Sequence, residues 1–239
     1  EGSHHLIVSA VQVGSDTEKH LLEKLDIGEQ IQCRGAGDLG GNFYPVTGAQ
    51  TPYNQVQYPE GVGRVYTGGQ YIVFDYHYFN TSDSVIPAQA AINFYTVNEG
   101  DIVKTARGFG FYNLNIYTAP MSSSSHTAEC LFDEDIHVYA LSRHTHRWGT
   151  NFSVYYSGGE RDGELVWTSP HYEEKLSYVW EDSIIMKKGT GFRFQCDFVN
   201  DTDRPIVFGL KATDEMCILF GTWWKVDGTS PGSQSCQLF

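Results

Sequence analysis

The 239-residue chain is 41% hydrophobic and 14% aromatic, and 29 acidic against 16 basic residues leave a formal net charge of −13. A chain of this length can bury one large or two small cores, and its acidity repels polyanions, so nucleic acid is not an expected partner. No run of 18 apolar residues occurs, so no membrane span is expected.

The opening "EGSHHLIV" has no signal-peptide pattern and reads as a mature or trimmed start. Residues 4–13 ("HHLIVSAVQV") form the first strand-like run. "SDTEKHLLEKL" (15–25) has helical spacing behind a Ser or Asp cap. Residues 70–80 ("QYIVFDYHYFN") are the clearest strand, rich in β-branched and aromatic residues without Gly or Pro. Further strands are expected at 90–97, 136–146, 151–157, 163–169, 191–200, 205–210 and 216–226. The polar stretch "NTSDSVIPAQ" (80–89), with Pro87, places a domain boundary there, giving residues 1–84 and 85–239. The second has the size of a β-sandwich; the first is thin for one and reads as short or truncated. The expected fold is all-β.

Five cysteines (Cys33, Cys130, Cys196, Cys217 and Cys236) include no C-x-x-C pair, which argues against a zinc ribbon. Four lie in the C-terminal part and could make two disulfides; Cys33 is then free or paired with a residue upstream of Glu1. Glycosylation sequons start at Asn80, Asn151 and Asn200. Together these point to an oxidising setting: secreted, extracellular or periplasmic.

The chemistry-bearing residues are histidines and one methionine. His144 and His146, in "LSRHTHRWGT", sit two apart in a strand-like segment, which would put both imidazoles on one face. Imidazole suits copper, zinc, iron and nickel, so the pair names no metal; it is equally compatible with exposed polar strand residues. Met216 precedes Cys217 in an apolar strand and reads either as core or as a soft thioether ligand selecting Cu(I). His4 and His5 are adjacent, so on a regular strand they face opposite ways and need a local distortion to share an ion with His77. "GSHH" also has the look of an affinity-tag remnant, although "LIVSAVQV" continues it as a native strand.

In order along the chain, "HHLIV" (4–8), the "HY" strand of 58–80, "HTHRWG" (144–149) and "CDFVNDTDRPIVFGLKATDEMC" (196–217) resemble the copper type II, ascorbate-dependent monooxygenases, which include peptidylglycine α-hydroxylating and dopamine β-monooxygenases. The spacings are similar too: 67 residues from His77 to His144 and 70 from His146 to Met216. The resemblance implies two antiparallel jelly-roll sandwiches and two copper ions per chain across a cleft. His4, His5 and His77 would form an electron-transfer site. His144, His146 and Met216 would form the site where O2 and a small-molecule or peptide substrate meet, with ascorbate as reductant. It also implies Cys196–Cys217 and Cys130–Cys236 disulfides, the first bracing the strand that carries Met216.

Departures from the family pattern fall at substrate positions. The peptide-amidating members place a carboxylate-gripping Arg two residues before H-T-H, where this chain has Ser142; Arg143 is displaced by one and should point to the other face. Phe220 stands where those enzymes have a Tyr, and Asp75 where they have a Gln. Glycine-extended peptides are therefore not the expected substrates. The rival expectation is a non-catalytic secreted copper-binding protein that retains the metal sites, and a third is a jelly-roll adhesion module. His20, and His126 in the Ser-rich "MSSSSHTAEC", are expected to be solvated in a helical turn and a loop. His137 and His171 are expected at surface or satisfied polar positions. Of Trp223 and Trp224, alternation puts one in the core and the other outward.

Overall fold

The structure is a computed structural model. It describes residues 3–24, 26, 28–30, 43–49, 51–78, 80, 82–172, 176–211, 213–229 and 237–238; the side chains of residues 3, 4, 22, 24, 77, 237 and 238 fall outside that description. The expectations for Cys33 and Cys236 therefore lie outside the described residues. The chain is all-β, built almost wholly from antiparallel sheets, and divides into two compact units, Glu1–Thr105 and Ala106–Phe239. Residues following the polar stretch around Pro87, as far as Thr105, cluster with the first unit.

The first unit contains β1 (Ser3–Val11), α1 (Asp16–Lys24), β2 (Phe43–Ala49), β3 (Val62–Gly63), β4 (Ile72–Tyr78) and β5 (Lys104–Thr105). Three of these make a sheet in the order β2-β1-β4, and β3 pairs with β5 in parallel. Alternation on β1 turns Val8 and Ala10 inward, where they meet Val46, with Leu6, Ile72 and Ile92 packed around them. The run at 90–97, expected as a strand, forms none. Ile92 packs on this small core, but Tyr95 is almost fully exposed, so the run has no second face to bury and no strand to pair with.

The second unit contains β6 (Arg107–Tyr112), β7 (Tyr117–Thr118), β8 (Ser122–Leu131), β9 (Ile136–His144), β10 (Gly149–Ser157), β11 (Leu165–Pro170), β12 (Ser177–Met186), β13 (Gly191–Asn200), β14 (Ile206–Val207), β15 (Ile218–Lys225) and β16 (Gln237–Leu238). A five-stranded sheet, β11-β10-β13-β8-β16, and a four-stranded sheet, β12-β9-β15-β6, share one core. The period of two is clearest on β13, where Phe192, Phe194, Cys196 and Phe198 are all buried. Each such ring removed from water contributes about 2 kcal/mol. Phe132 links the layers, its ring 5.7 Å from Trp223 and 6.0 Å from Phe192.

Two expectations are corrected here. The Ser-rich segment is strand β8, paired with β13 along Ser122–Leu131, and His126 on it is half-buried beside Ser124. Serine has little intrinsic strand preference; pairing with the central strand overrides it. Trp223 and Trp224 do point to opposite faces, but both are 1% exposed. Trp223 lies against Phe109 and Phe132, whereas Trp224 is covered by His137, stacked at 5.5 Å, and by Tyr139. His137 is satisfied as expected, its Nδ1 2.9 Å from the Ser183 hydroxyl.

The three sequons differ sharply in presentation. Asn80 is exposed. Asn151 on β10 donates its amide to Ser153 Oγ and Asp197 Oδ2. Asn200 is buried at the end of β13, and its amide donates to the carbonyls of Thr118, Ala119 and Arg204 at 3.2, 2.9 and 2.8 Å. That amide staples β7 and the following turn to the five-stranded sheet.

Candidate metal centre

His144 is the last residue of β9, and its cross-strand partner on β15 is Ile218. The strand ends there: Thr145 and His146 lie beyond it, in the turn that leads to β10. His146 is therefore not on a strand face as the i, i+2 spacing implies. The turn brings the two rings together all the same, with centroids 5.0 Å apart and planes at 84°. Both side chains are buried, and both Nε2 atoms are shielded from solvent.

His146 has a fixed tautomer. Its Nδ1 lies 2.8 Å from the Asp214 carbonyl, which can only accept, so Nδ1 carries the proton and the neutral ring has its lone pair on Nε2. That is the arrangement a metal-ligating imidazole needs.

Met216 enters from the chain that leads into β15, two residues before Ile218, and is half-buried. Glu215 joins it to the histidine turn. This carboxylate is fully buried and accepts three backbone N–H bonds. Oε2 accepts from His146 at 2.8 Å and Met216 at 3.1 Å, and Oε1 accepts from Trp148 at 2.8 Å. Burial pushes the carboxyl up to about 7, while the three N–H donors and the Arg143 charge pull it down. Behind Met216, the Cys196–Cys217 disulfide ties the segment to β13, with Cα atoms 6.0 Å apart. Cys130 is also disulfide-bonded; its expected partner, Cys236, lies outside the described residues.

Arg143 faces away from the imidazoles, into the interior. Its guanidinium donates to Ser169 Oγ at 2.9 Å, to Thr145 Oγ1 at 2.8 Å and to the His171 carbonyl. Burial draws it down to about 10, opposed by Glu215. The face it leaves holds Ser142, directly across from Phe220, with Phe220 against Tyr112 at 6.2 Å.

In the first unit, His5 is buried and pairs in register with His77 across β1 and β4. A register irregularity falls between Ser3 and His5, so β1 has at His4 the kind of local distortion that an adjacent pair requires. The side chains of His4 and His77 lie outside the description.

Among the described residues no group of three or more His, Cys, Asp or Glu gathers as a metal set. Two imidazoles and a thioether are a different kind of set. Imidazole nitrogens and a thioether sulfur, the donor types at His144, His146 and Met216, suit Cu(I) and suit hard cations poorly.

A sequence model of the copper type II ascorbate-dependent monooxygenase C-terminal domain matches residues 115–237, and the chain belongs to that family. The match includes His144, His146 and Met216 and the strands β9 and β15 beside them. No curated protein matches the chain. Among solved structures, the D431N mutant VP2 protein of infectious bursal disease virus, from derived T=1 particles, aligns at 11% identity with a TM-score of 0.23. The alignment covers 98% of this chain and 56% of that one, and a likeness at that level bears on neither fold nor function.

Sequence reasoning did not find Glu215 or the Asp214 carbonyl. One acidic residue beside a methionine has no period or spacing of its own, and a backbone acceptor leaves no trace in the sequence.

Proposed function

We propose that the chain is a copper-dependent, ascorbate-driven monooxygenase that hydroxylates a C–H bond of a small-molecule or peptide substrate. His144, His146 and Met216 hold one copper ion, and His4, His5 and His77 hold a second. Bound copper supplies one-electron redox chemistry and a place for O2 to react. One oxygen atom enters the C–H bond and the other leaves as water, with two electrons and two protons drawn from ascorbate.

The observation that carries this assignment is the buried, perpendicular imidazole pair with its locked tautomer, in a chain of this family. The Asp214 carbonyl sets the His146 tautomer that puts the ring's lone pair on Nε2. Ser142 and Phe220 share the sheet face of His144 and offer the substrate a hydroxyl and an aromatic ring. Arg143, committed to Ser169, Thr145 and His171, offers that face no cation, which disfavours substrates with a terminal carboxylate. The disulfide favours a secreted, extracellular or periplasmic protein. No helix among the described residues is long and apolar enough to cross a membrane.

The test is oxygen consumption by the copper-loaded full chain with ascorbate and a panel of neutral substrates. Consumption that His144→Ala abolishes is expected. Two coppers bound per chain with no ascorbate-dependent consumption would instead define a non-catalytic copper-binding protein.

A further inference from the structure

The copper ligands proposed above for the second unit come from two separate segments, the end of β9 with the turn after it and the approach to β15, and something must set the distance between them. Glu215 touches the backbone of both. One oxygen, Oε2, accepts from the backbone N–H of His146 and from that of Met216. The two amides can be no farther apart than those two bonds laid end to end. The other oxygen takes the N–H of Trp148 and fixes the exit of the turn. A buried carboxylate is costly to desolvate. Three N–H donors aimed at its two oxygens, with Arg143 nearby, are what allow it to remain there.

Other bonds also hold the surrounding fold. The turn is also closed by Gly149 N–H donating to the His146 carbonyl. Trp148 is held by its Nε1 donating to Asp201 and by Val199 N–H donating to its carbonyl. Glu215 itself is held by backbone bonds with Val207 and Gly209, and the Cys196–Cys217 disulfide anchors the segment from behind. The His144–Ile218 strand pairing and the His146–Asp214 bond bring the two segments side by side, and Glu215 adds the tie from backbone to backbone between His146 and Met216 themselves.

We infer that Glu215 is a positioning residue that yokes His146 to Met216, so that one Cu(I) meets two imidazoles and a thioether together. It touches no reacting atom and acts through the backbone of the two ligands.

The substitution Glu215→Gln keeps the shape, but turns one acceptor oxygen into an NH2 group facing an N–H donor. Three measurements on the full chain decide the matter: Cu(I) affinity by chelator competition, the copper X-ray absorption signature of a sulfur neighbour, and near-ultraviolet circular dichroism. The expected result is a native aromatic dichroism signal, a roughly tenfold to hundredfold loss of Cu(I) affinity, and a weakened or lost sulfur signature. Glu215→Asp keeps both oxygens on a shorter arm and should fall between. It stands in should the Gln variant fail to fold. A sulfur signature and affinity unchanged in a folded variant overturn the inference while leaving the copper assignment intact. A wild-type chain that takes up no Cu(I) overturns both.

Discussion

The two histidine clusters are built in contrasting ways. In the first unit His5 pairs with His77 in strand register, over a core of a few aliphatic side chains. In the second, His144 and His146 sit at the edge of a core rich in phenylalanine and tryptophan. There a carbonyl lock, a buried carboxylate and a disulfide hold the site. Strand pairing fixes where a residue lies. Fixing how a side chain is presented takes a further layer of buried polar contacts, and the second cluster shows that layer.

The contrast can be broken first at the cores. Trp223→Ala should cost about 4 kcal/mol and Val8→Ala about 2 kcal/mol, read from denaturant midpoints at a common slope. The reverse order would mean that the aromatic core is not the stronger foundation. Replacing Cys196 and Cys217 together by Ala should cost about 3 kcal/mol, from the loop that the disulfide closes across a separation of 21 residues. Cu(I) affinity at the Met216 site should fall in parallel.

Asn200→Ala leaves three carbonyls without their donor and should cost about 2 kcal/mol. Peptide mapping of protein from a secreting eukaryotic host should find no glycan on Asn200. Any occupancy there would contradict the buried, triply bonded amide. The smallest effect belongs to Gly149→Ala. A Cβ there would stand 2.5 Å from Thr145 Oγ1 and 3.2 Å from the His146 carbonyl, so the turn must shift. Stability should drop by about 1 kcal/mol, with a loss of Cu(I) affinity disproportionate to it. Unchanged affinity would show that the turn tolerates movement.

Much of this was legible in the residues. β-branched and aromatic runs mark β1, β4, β9, β10, β13 and β15, and the order of His, His and Met marks the candidate ligands. Period-two reasoning correctly turns Arg143 away from His144. It fails one residue later, because β9 stops at His144 and His146 reaches its neighbour through a turn. β8 was illegible because its serines become a strand only through pairing with β13. β12, with Glu181 and Asp182 at its centre and a register irregularity between Val179 and Ile184, offered no clean alternation to read. The acceptors that hold the His146 turn lie far from it in sequence and gain meaning only when the chain folds back.

The most direct test is Cu(I) stoichiometry of the untagged full chain by competition with a chromophoric chelator, on wild type, His146→Ala and His5→Ala. The account predicts two ions per chain in wild type and one in each variant, with the sulfur signature missing only in His146→Ala. Wild type without copper, or a His146→Ala variant still holding a sulfur-ligated ion, would contradict it.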